Sequence, residues 1–385
     1  MSFFGNAAIN RLNLHFAIQA LAEGSGGLFV LVFMLKVGVP APLVLVAMAA
    51  MNAGRFILRP FVLPLARRLG LRRTLMLGTV LEAASYPLLP FMQGPDALFV
   101  AAVVVGPVGS VLYWTCYHAY FASVGDAENR GGHIGMREAI VAMVGIVAPL
   151  LGAGALATGG PWLAFGGAAL VQLLAAAPLI GAPDIEVKEE APGGLKAAWG
   201  GAMLMGCDGF FAGGYHFVWQ IALFLTLSES FTAYGGAMAL AALLGAVMSL
   251  WIGRHIDAGG GRVAAIVAFA VTLGVLGLRA GSMDLPWLAV IANALGALVV
   301  ALWVPALMTP IYNMAQESPC PLRFSVATEG AWDIGCATAC LVGAAMLAMG
   351  LSTAAPILLG VAGSLVAFVL LWRRYGASAP TALTT

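Results

Sequence analysis

Twelve long stretches of this chain run almost without charge: 14–35, 42–65, 74–92, 97–123, 134–157, 162–181, 198–227, 231–252, 263–280, 285–310, 324–349 and 354–372. A helix that crosses a bilayer needs about 20 predominantly apolar residues, and each stretch is close to that length or longer. They are continuous and rich in Leu, Ala and Gly, without the ten-residue alternation of a membrane barrel. Composition leaves no competing solvent. Of 385 residues, 61% are apolar and 9% charged, and the mean hydropathy is +0.96. A soluble domain carries roughly 25% charged residues, so no soluble core could hide this apolar surface. Disorder, a coiled coil and a disulfide scaffold are excluded by the same arithmetic. So is nucleic-acid binding, because 18 Lys and Arg against 17 Asp and Glu leave a net charge of +1 and no basic face. The predicted fold class is all-α integral membrane protein, with the lipid bilayer as its first partner.

Basic residues set the expected orientation. Arg11, Arg67, Arg68, Arg72, Arg73, Arg130, Lys188, Lys196, Arg254, Arg262, Arg323, Arg373 and Arg374 all fall at ends that share one side; Lys36 and Arg279 fall at the other. The positive-inside rule then puts both termini and the middle loop in the cytoplasm. Residues 1–13 lack the pattern of a cleaved leader, so the first stretch is read as a retained helix. The most polar connection, around Asp184, Glu186, Lys188, Glu189, Glu190 and Lys196, carries Pro183, Pro192, Gly193 and Gly194. It reads as a linker over 183–197 between halves 1–182 and 198–385.

The halves repeat at a period near 190. Glu23-Gly24 in the first stretch matches Asp208-Gly209 in the seventh, Trp114 matches Trp303, and Glu138 matches Glu329. A basic loop follows the second stretch (Arg67, Arg68, Gly70, Arg72, Arg73), and another follows the eighth (Gly253, Arg254, Asp257, Gly260, Arg262). With these features the chain resembles the major facilitator superfamily of secondary transporters. The loop motif of that family, Gly-x-x-x-Asp-(Arg/Lys)-x-Gly-(Arg/Lys)-(Arg/Lys), is met in the second copy by Gly253, Asp257, Gly260 and Arg262. The first copy keeps Arg68, Gly70 and Arg72 but has Leu63 in place of Gly and Arg67 in place of the acid. Ala148-Pro149-Leu150-Leu151-Gly152 is similar to the Gly-Pro-x-x-Gly of family exporters, with Ala148 for the first Gly. The resemblance implies twelve transmembrane helices in two pseudo-symmetric six-helix bundles, working as a monomer by alternating access around one central site.

Nine ionisable residues lie inside the stretches: Glu23, Arg55, Arg59, Glu82, Arg137, Glu138, Asp208, Glu329 and Asp333. Each costs roughly 2.5–3.5 kcal/mol at the bilayer centre. Facing lipid together they would exceed the usual net stability of about 5–15 kcal/mol, so they must pair, neutralise or line a wet cavity. Some serve only to lock helices together. Arg55 and Arg59 share one helix face, as do Glu329 and Asp333. The resemblance implies that the second and eleventh helices meet antiparallel, which sets Arg59 against Glu329 and Arg55 against Asp333. It likewise brings the fifth and eighth together, where Arg254 could meet Glu138 and Asp257 could meet Arg137. These eight form the expected cytoplasmic gate, made when closed and hydrated when open.

Glu23 and Asp208 lie about 15 Å along inward-starting helices, near the midplane. The resemblance puts those helices on the central cavity, and a carboxyl group there can load a proton from one side and release it to the other. The same acids could instead hold a cationic substrate. The glycines beside them, Gly24, Gly26, Gly27, Gly213 and Gly214, allow close packing or a loosened helix. Trp114, Tyr117, His118, His216, Trp303 and Gln19 complete the candidate cavity, where rings with polar tips suit an amphipathic ligand. Membrane-interface belts are the competing reading for aromatics, and the preferred one for Tyr120 and Trp219. Five cysteines without a CxxC and a Met203-x-Met205-x-Cys207 run give a soft-metal alternative but no metal site. Gly259-Gly260-Gly261 lacks the context of a phosphate loop, so no cofactor is expected beyond a proton as coupling ion. The expectation is a proton-coupled transporter of a small amphipathic organic solute, tilted toward export. An intramembrane enzyme or a transport-dead sensor on the same scaffold is the alternative. Arg outnumbers Lys fifteen to three, which points to a bacterial inner membrane.

Overall fold

A chain surrounded by hydrocarbon must satisfy its backbone N–H and C=O groups within each crossing segment, and this one does so with helices. The computed structural model describes residues 7–124, 130–187, 190–256 and 261–377. The first half comprises α1 (Ala7–Lys36), α2 (Ala41–Leu69), α3 (Leu71–Ala83), α4 (Ala97–Val124), α5 (Arg130–Thr158) and α6 (Gly160–Ala175). In the second half α7 runs through Trp199–Ala212, Gly213–Val218 and Trp219–Thr226. It is followed by α8 (Phe231–Ile256), α9 (Gly261–Ala280), α10 (Pro286–Glu317), α11 (Pro321–Ala348) and α12 (Leu359–Ala377). All twelve apolar stretches coincide with helix, and among the described residues there is no strand. Ten of the helices are long and apolar enough to cross a membrane, and α3 and α7 are not among them. Regular helix in α3 stops at Ala83 and passes into the 3-10 stretch Tyr86–Phe91. Pro87 and Pro90 lie there, and neither has an N–H to continue the ladder.

Turns between helices are set by Gly and Pro. Gly70 takes φ 87° between α2 and α3, a region open to Gly at no steric cost. Pro residues occupy the first turns of α2, α6, α10 and α11, where a missing N–H is harmless. Asp96 caps α4, accepting from the backbone N–H of Phe99 at 2.9 Å and of Gln93 at 3.0 Å. These donors hold its carboxyl below the usual range.

The repeat read in the sequence is present as packing. In the first half α1 packs on α5 and α6, α2 on α4, and α3 on α4 and α6; six helices later α7 packs on α11 and α12, α8 on α10, and α9 on α10 and α12. The halves meet through α2 against α11 and α5 against α8. Small residues permit the tightest approaches. A Cβ on Gly209 would stand 2.1 Å from the carbonyl oxygen of Trp332, so α7 and α11 touch by backbone there. The outward surface is apolar in helical stripes, as with Met143, Val147, Leu150 and Leu151 of α5, spaced to face lipid along one side.

The linker is fastened to the first half. The Asp184 carboxylate accepts from the Arg72 backbone N–H at 3.0 Å and lies 3.7 Å from the side chains of Arg72 and Arg73. Tyr120 is fully buried and donates its hydroxyl to the carbonyl of Pro183 at 2.6 Å. Tyr120 therefore ties the linker down rather than sitting in an interfacial belt, as expected of it. Trp219 departs from the belt in the same way: it is buried and donates to Asn293 Oδ1 at 2.9 Å. At the end of the bundle away from the termini, Lys36 and Glu229 pair across α1 and the α7–α8 turn at 3.7 Å, both exposed. Just below them Phe29 sets its ring 6.3 Å from Phe231 and 5.8 Å from Tyr234.

Candidate functional site

Seven residues from four helices close the seam between halves on the side of the termini. Asp333 of α11, with no exposed surface, lies 3.0 Å from Arg55 Nε and accepts from Arg59 Nε at 3.1 Å and from Arg59 Nη2. Arg59 Nη1 donates to Thr115 Oγ1 of α4 at 2.6 Å. Glu329 lies 3.8 Å from Arg55 and 3.7 Å from His118 Nε2. His118 Nδ1 bonds the Tyr312 hydroxyl of α10 at 2.9 Å. The cavity below this layer, lined by His118, Met308, Tyr312 and Glu329 among others, offers about 10 Å³ to water, room for one molecule at most. The layer leaves little room for water, and its two acids balance its two guanidinium groups.

The sequence brought the right helices together but not every pair. Arg55 meets Asp333 as expected. Arg59 does not meet Glu329; it turns to Asp333 and Thr115. The α-helical stretch of α2 gives way to a 3-10 turn at Arg59–Phe61. The 3-10 turn begins only past that spacing: the Arg59 N–H still bonds the Arg55 carbonyl, so both guanidinium groups stay on one face and converge on Asp333. His118, assigned to the central cavity, belongs to this layer, stacked on Trp114 with centroids 5.8 Å apart. The expected pairs Arg254–Glu138 and Asp257–Arg137 lie outside the described residues, Asp257 in full and the other three as side chains.

A polar path leads inward from the layer. The Arg55 guanidinium stands over the Trp332 ring at 5.5 Å, a cation–π contact. Trp332 Nε1 donates to Asp208 Oδ2 at 3.1 Å, and Trp303 Nε1 of α10 donates to Asp208 Oδ1 at 2.8 Å. Asp208 is thus held between two indoles, one of which also touches the ion-pair layer. His216, eight residues on, lies across the π-helical turn Gly213–Val218. Its ring lies edge-on to Tyr215 at 4.8 Å, and it is exposed. Tyr117 is fully buried, stacked on Phe16 at 4.9 Å, so it serves as packing behind Trp114.

Glu23 and Gln19 are not placed as expected. Both belong to a cluster turned into the first half, toward α3 and α6. Gln19 Nε2 donates to Glu23 Oε1 at 3.3 Å and to Glu82 Oε2 at 2.8 Å. Gln172 Nε2 of α6 donates to Glu82 Oε2 at 2.9 Å and also to Gln19 Oε1. The π-helical stretch Glu23–Gly27 begins at the acid and shifts the face that a regular helix would present. Arg279 is a further departure. Expected at the membrane face away from the termini, it is buried, donating to the Tyr215 carbonyl at 2.7 Å. Its guanidinium lies over the rings of Tyr215 and Trp219 at 4.1 and 4.6 Å. Sequence reasoning missed Thr115, Tyr312, Trp332 and Gln172, and gave Glu82 no role. Gln172 and Glu82 were detectable as lone polar groups in apolar helices; the others carry no signal of that kind.

The sequence profile of the Major Facilitator Superfamily matches residues 14–323. No curated protein matches the chain. The crystal structure of the human organic anion transporter MFSD10 (TETRAN) is similar over 95% of this chain and 99% of that one, at 17% identity and a TM-score of 0.68. FucP, a Major Facilitator Superfamily transporter solved in the outward conformation, is similar over 95% of this chain and 98% of that one, at 12% identity and a TM-score of 0.68. These likenesses carry the fold, and with the matched profile they point to a transporter rather than an intramembrane enzyme. The two packed halves, their ion-paired seam and the matched profile agree: this chain is an integral membrane protein that belongs to the Major Facilitator Superfamily of secondary transporters.

Proposed function

We propose that the protein moves a small amphipathic organic solute by proton-coupled alternating access, working as a monomer with both termini in the cytoplasm of a bacterial inner membrane. One observation carries the reading: Asp208 is held by the indoles of Trp303 and Trp332 and connected through Arg55 to the buried Arg59–Asp333 pair that joins the halves. Loading Asp208 removes the charge that the indole N–H groups hold, which frees Trp332 and with it the face of Arg55. The ion-pair layer then parts and hydrates. The halves in this reading are 1–182 and 198–385, rocking about the linker 183–197. Indole rings around an acid suit a solute with an apolar body and a basic or hydroxylic end. The organic-anion specificity of the human neighbour is not carried over, because an acid at this point repels an anion. Export rests on the Ala148–Gly152 motif. A thermal-shift screen of the purified protein against metabolites and drugs comes first, since a bound solute stabilises the folded state by mass action. In proteoliposomes the solute found should then move with an imposed pH gradient, and Asp208→Asn should slow that flux at least tenfold. Flux that persists unchanged when a protonophore collapses the gradient would overturn the coupling.

A further inference from the structure

The linker is laid against the turn between α2 and α3 residue by residue. The Pro183 carbonyl accepts from the Tyr120 hydroxyl. The Asp184 carboxylate accepts from the Arg72 N–H and stands 3.7 Å from the side chains of Arg72 and Arg73. The Ile185 carbonyl accepts from the Leu71 N–H at 3.1 Å. The fit is close: a Cβ on Gly70 would lie 2.5 Å from the Asp184 oxygens. Two of the four arginines around this turn are thereby answered by one acid, and the path carries Val187 up beside the last turn of α2.

That last turn holds the other two arginines, Arg67 and Arg68, both exposed. With Pro64 and Val187 they line a recess of about 370 Å³, within the range of about 300–1,000 Å³ that small-molecule clefts occupy. The cavity at the seam offers about 10 Å³, so the recess has the room that the seam lacks. Among the described residues no acid pairs with Arg68. Basic residues in the last turn of a helix also answer its dipole. That accounts for the charge at this place and not for the space in front of it.

The repeat shows that the arginine pair is particular to the first half. Where it has Arg67 and Arg68, the second half has Asp257 and Ala258. The exchange replaces an acid and a neutral residue by two cations at the mouth of one recess. A guanidinium group stays charged at any working pH and presents a fork of N–H donors that matches phosphate oxygens. Pro64 and Val187 add apolar contact on either side, which suits the carbon skeleton that a phosphate ester carries.

We propose that Arg67 and Arg68, walled by Pro64 and Val187, form a binding site for a phosphate group, carried by an anionic phospholipid or free in solution. The site lies apart from the solute seam, and its test needs no transport. The thermal midpoint of the purified, intact protein is followed at constant ionic strength in two titrations. One sets phosphatidylglycerol against phosphatidylcholine in mixed micelles; the other sets inorganic phosphate against chloride in phosphatidylcholine alone. The wild type should be stabilised by a few degrees, in the first titration if the ligand is a lipid headgroup and in the second if it is free phosphate. Arg67→Gln with Arg68→Gln should raise the half-saturating concentration about tenfold. Val187→Glu, which keeps both arginines and puts an acid in the wall, should raise it as well. Lys196→Gln with Arg373→Gln removes two exposed charges from the side of the termini and should leave it unchanged. No response in the wild type, or a response that survives loss of Arg67 and Arg68, overturns the proposal. So does a response that both double variants weaken equally, because that is only the diffuse attraction of a basic surface for anions.

Discussion

Asp333 serves two cations at once, and that fixes the order in which its neighbours can be lost. Its side chain has no exposure, Arg59 has 2% and Arg55 has 14%. Removing one partner of a buried pair costs about 3–5 kcal/mol, because the other charge is left bare. Asp333→Asn strands Arg59 and leaves Arg55 only the more distant Glu329, whereas Arg59→Gln leaves Asp333 still paired with Arg55. Thermal unfolding in detergent should therefore show the larger loss for Asp333→Asn. Equal losses would mean that Arg55 contributes nothing. The residue types were legible in the sequence, since charges in apolar helices announce themselves by cost alone. Their exact partners were less so. Arg55 and Asp333 follow from spacing and antiparallel packing, but the convergence of Arg59 on the same acid and on Thr115 is decided by tertiary context. Trp332 was invisible as a partner of Asp208, because an aromatic on a membrane helix reads equally well as packing or belt.

At the scale of the helix, glycine does two different jobs, and the structure separates them. Gly209 stands where α11 leaves no space, against the backbone oxygen of Trp332. Gly236 on α8 has open space around its missing Cβ. Overpacking typically costs about 1–3 kcal/mol, whereas Gly to Ala at a roomy helical position gains up to about 1 kcal/mol. Gly209→Ala should lower the yield of folded protein and its thermal midpoint, and Gly236→Ala should hold or raise both. The glycines were expected either to pack or to loosen the helix, and they do both: π-helical stretches run through Glu23–Gly27 and Gly213–Val218 while nearby glycines make the closest contacts. Periodicity revealed where all twelve helices lie, but not that α3 gives way to 3-10 turns at its prolines. Nor could it reveal the π stretches, which depend on what the helix is pressed against.

For the whole molecule, the contacts that join the halves on the side of the termini must break for a solute to pass there. Phe121 and Tyr312 face each other across that seam, with ring centroids 5.7 Å apart. Cysteines at both positions, joined by a short reducible linker, should stop solute flux in proteoliposomes, and reduction should restore it. Flux that continues through the cross-link would exclude opening on that side. This level was the most legible in the sequence, because long apolar runs and a repeat of polar landmarks constrain the packing of helices more tightly than they constrain any side chain.

Arg279 gives the molecule a lasting imbalance. Its charge is built into one wing, caged by two rings and a carbonyl, and stays there whatever the medium contains. The opposite wing keeps its own buried cation, Arg59, at the seam against an acid of its neighbour rather than caged within itself. Two wings of like topology thus carry unlike inner charge, and neither can answer its surroundings as the mirror of the other.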